Sequence, residues 1–217
     1  MMMTPSLRKL ALTVHVVASV GWVGALAVFL AHAIASLISL DEQIVRAACV
    51  AMGLTAWFVI LPLSLTSLLT GLVQALGTAW GLLRHYWVLA KLLLTAFATA
   101  VLLLKMAPIN YLAEAAVAAT FSDAGPEGLR TSLMVHAVGG LLVLLAITTL
   151  AIYKPRGMTP YGVRKHYEHG GAQKRDDSGS IIGMPRWVKV SGVAVIVLAV
   201  LLGIMILHGS HGPSAHM

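Results

Sequence analysis

The sequence predicts an all-α fold, a polytopic bundle of five membrane-spanning helices forming one domain over residues 1–217. Two observations predict it. Of the 217 residues, 59% are hydrophobic and only 11% charged, where a soluble domain carries about 25% charged residues; the mean hydropathy is +0.88. Apolar runs also recur at the length of about 20 residues that carries a helix across a bilayer. The clearest, Leu10 to Leu40, contains no Asp, Glu, Lys or Arg, yet holds His15 and His32. Ionisable groups in such a run are costly and mark functional candidates.

The elements follow in order. Span one covers residues 10–32, with helix continuing toward 40 until Asp41, Glu42 and Gln43 end it. Span two covers 54–76, with Pro62 near its middle. That proline removes a backbone donor and predicts a kink, with Ser64, Thr66 and Ser67 placed to satisfy the freed carbonyl. Residues 44–53 extend this helix beyond the membrane. Span three runs from Tyr86 to Lys105, closed by Pro108; span four from Leu129 to Tyr153, closed by Pro155; span five from Trp187 to Leu207. Arg8, Lys9 and the Ala31-His32-Ala33 triplet imitate a secretory leader, but the apolar run exceeds the 7–15 residues usual there.

The net charge of +7 is distributed as a topology signal and does not point to nucleic acid. Arg8 and Lys9 precede span one, Arg84 precedes span three, and the 154–186 loop holds seven Lys and Arg residues. The opposite side carries Arg46, Lys105 and Arg130 among acidic residues. Cytoplasmic loops are rich in Lys and Arg, so the N-terminus and the 154–186 loop are expected inside and the C-terminus outside. The loop is expected to lie as coil near anionic headgroups. The single Cys49 excludes an intrachain disulfide and a cysteine metal cluster.

Depth then sorts the ionisable residues. His15, Lys91 and His85 fall in an inner group; His136, His32 and His208 fall in an outer group. His15 and His136 are too far apart in depth to be the two axial ligands of one haem. Each has a structural alternative: a membrane histidine can simply hydrogen-bond a Ser or Thr of a neighbouring helix, and Lys91 can snorkel to the headgroups. Gly21, Gly24 and Ala25 suit a close helix contact, or room for a flat macrocycle, as do Gly139 and Gly140. No hydrolase, Walker or dinucleotide-binding signature is present, and the spans contain no carboxylate for a proton or sodium relay. Imidazole remains, and neutral imidazole is a good haem and copper ligand.

His15 followed by Trp22 and Gly24 resembles the first helix of the copper-resistance D family and of the HemJ membrane protoporphyrinogen oxidases. Trp87, Lys91 and Leu92 resemble the tryptophan–lysine–leucine pattern of the latter. That resemblance implies haem b, with His15 and Lys91 functional and Lys91 the catalytic candidate. The segment after Trp22 lacks the oxidase's proline and basic residue, and no histidine closes span three. Residues 7–165 as a whole resemble a family of uncharacterised integral membrane proteins, through Arg84-His85-Tyr86-Trp87, His136 with Gly139-Gly140, and Tyr153-Lys154-Pro155-Arg156-Gly157.

The expectation is a haem b-binding protein of a bacterial cytoplasmic membrane, serving electron transfer or a haem-dependent oxidation. Its cofactor-binding candidates are His15, His136, His85, Trp22, Gly24 and Trp87. Its partners, besides the lipid bilayer, would be a redox protein or a quinone, and a further copy of the chain. The alternatives are copper transport or resistance, with His15, His136, His32 and the His208–His216 tail as metal ligands, and a scaffold without a cofactor.

Overall fold

A computed structural model of the chain describes residues 4–77, 86–118 and 127–153. Among these residues the structure is helical apart from residues 4, 39–41 and 118, and it contains four helices long and apolar enough to cross a membrane. They are α1 (Pro5–Ile38), α2 (Glu42–Thr55) continued through a π-helical segment (Ala56–Ile60) into α3 (Leu61–Gly77), α4 (Tyr86–Val117) and α5 (Glu127–Tyr153). Span five, the 154–186 loop, the histidine-containing tail, His85 and Arg84 lie outside the described residues.

Local sequence explains the ends. Pro5 stands in the first turn of α1, where its missing N–H costs nothing. Asp41 caps α2 by accepting from the Gln43 backbone N–H at 2.8 Å. The 34 residues of α1 reach about 50 Å at 1.5 Å per residue, well beyond a hydrocarbon core of about 30 Å.

Two expectations are corrected. Pro108 does not close the third span: α4 runs through it to Val117. One missing donor is a local loss, and the run that follows, rich in Ala and Leu, keeps the helix going. Pro62 is accommodated by a π turn, in which the Leu61 N–H reaches back to the Ala56 carbonyl. The neighbouring hydroxyls bond elsewhere: Ser64 donates to the Leu61 carbonyl at 2.8 Å, and Ser67 pairs with Ser19 at 2.8 Å.

Large apolar side chains cover the outside of the bundle, among them Val17, Val20, Phe58, Leu104 and Ile152, the pattern of a protein that meets lipid. The buried core lies between the C-terminal half of α1, α2, the C-terminal half of α4 and the N-terminal half of α5. Phe29, Cys49, Met52, Leu112 and Leu133 are among its members. A methyl on Gly53 would sit 2.8 Å from Ala113 Cβ, so α2 and α4 all but touch there. The opposite half of the bundle is held by polar contacts between α1 and α3.

Two arginines cap helices at the core end. Arg46 pairs with Glu42 at 2.6 Å and donates to the Ala116 and Ala118 carbonyls at 3.2 and 2.7 Å. Arg130 is 6% exposed and donates to the Ser36 carbonyl at 2.6 Å. Cations are favoured at helix C-termini, where carbonyls lack partners.

Candidate cofactor crevice

An apolar crevice of about 70 Å3 opens between α1, the π segment, α4 and α5. Trp22, Phe29 and Phe97 give it aromatic walls, and Gly140 lies on its α5 side. A methyl on Gly140 would stand 3.2 Å from Leu26 Cδ2. Two polar side chains line the crevice, His136 and Lys105.

His136 is 7% exposed. Its Nδ1 lies 2.7 Å from the Ser132 carbonyl, one turn back on the same helix. A carbonyl can only accept, so Nδ1 carries the proton and the neutral ring presents a bare lone pair at Nε2. That Nε2 is buried with no hydrogen-bond partner. An unpaired buried acceptor costs about 1–3 kcal/mol. An imidazole fixed through one nitrogen to a backbone carbonyl, with the other nitrogen open, is the usual arrangement of a ligating histidine. Lys105 is half-buried and lies within electrostatic reach of the ring.

The first-helix histidine stands elsewhere. His15 Nδ1 lies 3.0 Å from the Ser67 carbonyl and 3.1 Å from Thr70 Oγ1. Thr70 Oγ1 also lies 2.6 Å from the Thr66 carbonyl, to which its hydroxyl donates, so it accepts from the ring. The ring edge sits 3.2 Å from where a methyl on Gly71 would be. Gln74 adds a bond to the Ala11 carbonyl at 3.1 Å. His15 thus fastens α1 to α3. Lys91 Nζ sits over the Trp87 ring, 5.3 Å from its centroid, and its charge reaches His15. None of His15, Trp87 and Lys91 lines the crevice.

Contacts fix the separation of the two histidines. Arg130 meets Ser36 and Gly140 meets Leu26, so α1 and α5 run antiparallel. His15 lies 11 residues before Leu26 and His136 four residues before Gly140, which places the rings about 22 Å apart along the bundle at 1.5 Å per residue. They belong to separate sites.

The other candidates are distributed as follows. Trp22 is buried and lines the crevice. Gly24 is exposed, and a methyl there would meet nothing within 4 Å; of the small residues expected at a close contact, Gly21 makes one, a methyl there lying 3.2 Å from Leu63 Cδ1. His32 is half-buried, with Nδ1 buried and unpartnered. Among the described residues no three His, Cys, Asp or Glu side chains converge as a metal-holding group.

Sequence reasoning assigned Lys105 and Arg130 to the charged margin of the membrane. Lys105 lies 12 residues before the end of α4, and the apolar Val101–Leu104 run before it, with Met106 and Ala107 after, was the available signal. Arg130 is buried, and nothing in its local sequence distinguishes it from a loop charge.

Comparison of the chain with family models, with curated proteins and with solved structures returns no match. Fold and site define the class: an all-helical protein with membrane-type helices and a histidine-bearing apolar crevice.

Proposed function

We propose that this chain is a haem b-binding membrane protein serving electron transfer or a haem-dependent oxidation, with His136 as the iron ligand in the crevice. One observation carries the reading: the buried, unpartnered Nε2 of a histidine whose other ring nitrogen is held by the Ser132 carbonyl. The chemistry of the lining suits the group, while the crevice as it stands, about 70 Å3, would have to widen to admit it. Trp22, Phe29 and Phe97 offer flat apolar walls, suited to a macrocycle that water must not reach. Held by His136, haem would supply one-electron chemistry, tuned by the imidazole and the dielectric around it.

The protein's own residues act by positioning. Ser132 fixes the tautomer of His136, and Trp22 brings the first helix to the site. His15 acts at a distance, by holding α1 against α3. A cytoplasmic N-terminus is part of the same reading. It is supported by the placement of Lys105 and Arg130 within helices, which leaves fewer basic residues in the connections at the opposite end.

The test is the absorption spectrum of detergent-purified protein, oxidised and reduced, after expression with ample haem precursor. A Soret band that His136→Ala removes and His15→Ala retains is the expected result. No Soret band in the wild-type protein overturns the reading, and stoichiometric copper in that colourless protein would favour metal handling instead.

A further inference from the structure

We propose that the open groove between α2 and the last turns of α4 binds an ethanolamine phospholipid, with Asn110 on its phosphate and Glu114 on its ammonium. The proposal is independent of the crevice and of haem.

The groove has a volume of about 420 Å3, room for about 14 water molecules at about 30 Å3 each and so for a phospholipid headgroup. Leu54, Trp57 and Phe58 line it from one side, Asn110, Glu114 and Val117 from the other. Gly53 and Ala113, which all but touch, also line it. Their contact sets the register of the two helices. Trp57 follows Gly53 by four residues and Asn110 precedes Ala113 by three, and these two side chains meet in a hydrogen bond. Val50 and Val117 fall level with each other one turn in the opposite direction.

The groove stands at a membrane boundary. Glu42, Gln43 and Arg46 open α2, and Asn110 and Glu114 fall within the last eight residues of α4. The 32 residues of α4 reach about 48 Å, beyond a hydrocarbon core of about 30 Å. Trp57 and Tyr111 are both exposed here, and such amphipathic rings collect at headgroup level. Val50 to Phe58 covers about 12 Å along the axis. The groove therefore runs from Glu114 and Val117 at the polar end to Phe58, 75% exposed, at the apolar end.

The polar groups select the headgroup. An indole N–H can only donate, so the bond from Trp57 fixes Oδ1 of Asn110 toward the ring. The two amide N–H bonds remain for a phosphate oxygen in the groove. Glu114 is exposed, and its carboxylate makes no ion pair or hydrogen bond among the described residues. Arg46, although it reaches the end of α4, pairs with Glu42. Four residues, about 6 Å on a helix, separate Asn110 from Glu114, a spacing suited to a phosphate and an ammonium two carbons apart. A primary ammonium both carries the complementary charge and donates to the carboxylate. A phospholipid without a cation would bring its phosphate beside an uncompensated carboxylate. The acyl tails continue past Phe58 into the hydrocarbon.

Native mass spectrometry of the full chain in detergent tests the assignment. The probes are an ethanolamine phospholipid, the same lipid with its amine acetylated, and soluble phosphoethanolamine. Wild type is expected to bind one molecule of the first about fivefold more tightly than the second, the upper range for one exposed ion pair. Glu114→Gln should abolish that difference, and Asn110→Leu should weaken both lipids alike. Phosphoethanolamine, which lacks tails, should not bind at the same concentration.

Equal binding of the two lipids by wild type, or a preference that survives Glu114→Gln, overturns the proposal. So does Asn110→Leu binding both lipids as wild type does, or phosphoethanolamine binding as tightly as the lipid. The wild-type comparison decides should a variant not fold. Labelling of Leu54→Cys with a bulky maleimide separates other occupants. Labelling that the ethanolamine phospholipid blocks is expected. Protection without added lipid would show that residues 187–207 or a second copy of the chain covers the groove, and would overturn the proposal.

Discussion

Arg130 Nη1 donates to the Ser36 carbonyl across 2.6 Å, so a buried guanidinium on α5 closes the C-terminal turn of α1. Its Nε is buried without a partner, and its charge extends to Cys49. A hydrogen bond from a charged donor contributes about 1.5–3 kcal/mol. Arg130→Gln is therefore expected to lower unfolding stability by about that amount, measured by detergent titration of the folded protein. An unchanged midpoint would show that α1 ends securely without the guanidinium.

Gly53, the one glycine of α2, should not tolerate a methyl. An added methyl would lie 2.8 Å from Ala113 Cβ, and a Cβ on a helix moves only with its backbone. Overpacking of this kind costs about 1–3 kcal/mol, so Gly53→Ala should unfold in less denaturant than wild type. Gly24→Ala, with open space around it, serves as the control and should match wild type.

His15 is expected to behave as a fastener. Its bonds to Ser67 and Thr70 are interhelical, and such bonds in membrane bundles contribute about 0.6–2 kcal/mol. His15→Ala should lower stability by about this amount and leave the absorption spectrum unchanged. Loss of the Soret band from His15→Ala with normal stability would place the cofactor at the α1–α3 end.

Gly140 controls the width of the crevice. A side chain there pushes on Leu26, whose Cδ2 is 3.2 Å from the added carbon, and both residues line the same space. On the haem proposal, Gly140→Val should reduce haem bound per protein while helical content stays as in wild type by circular dichroism. Full haem occupancy in Gly140→Val would move the bound group away from this wall.

Much of this architecture was legible in the chain. The apolar runs around α1 and α5 are uninterrupted, and their composition alone placed them. The continuation of span two below residue 54 was also readable, because Ile44 to Met52 carries no proline or glycine. The errors share a cause. Pro108 was treated as a terminator, which made Lys105 look like a boundary charge, although a helix sheltered from water tolerates the loss of one donor. His136 was visible as an ionisable group in an apolar run, but its open Nε2 depends on the turn that brings Ser132 beneath it. The burial of Arg130 depends on α1 ending at the level where α5 begins, a tertiary coincidence that no local pattern carries.

The π segment at Ala56–Ile60 has a consequence for how this chain can change length. A π turn holds one residue more than the α turn it replaces, so it is a slack position in the winding of the α2–α3 rod. Removing a residue there takes up the slack, and everything beyond keeps its heading: Ser67, Thr70 and Gly71 still face His15. Removing a residue one turn later, in Ser64–Ser67, turns the remainder of α3 by about 100° and swings Gly71 away from the imidazole. Deletion of Val59 should therefore be tolerated where deletion of Leu65 is not. Lengths and phases of the two halves of this rod are free to vary independently only at that point.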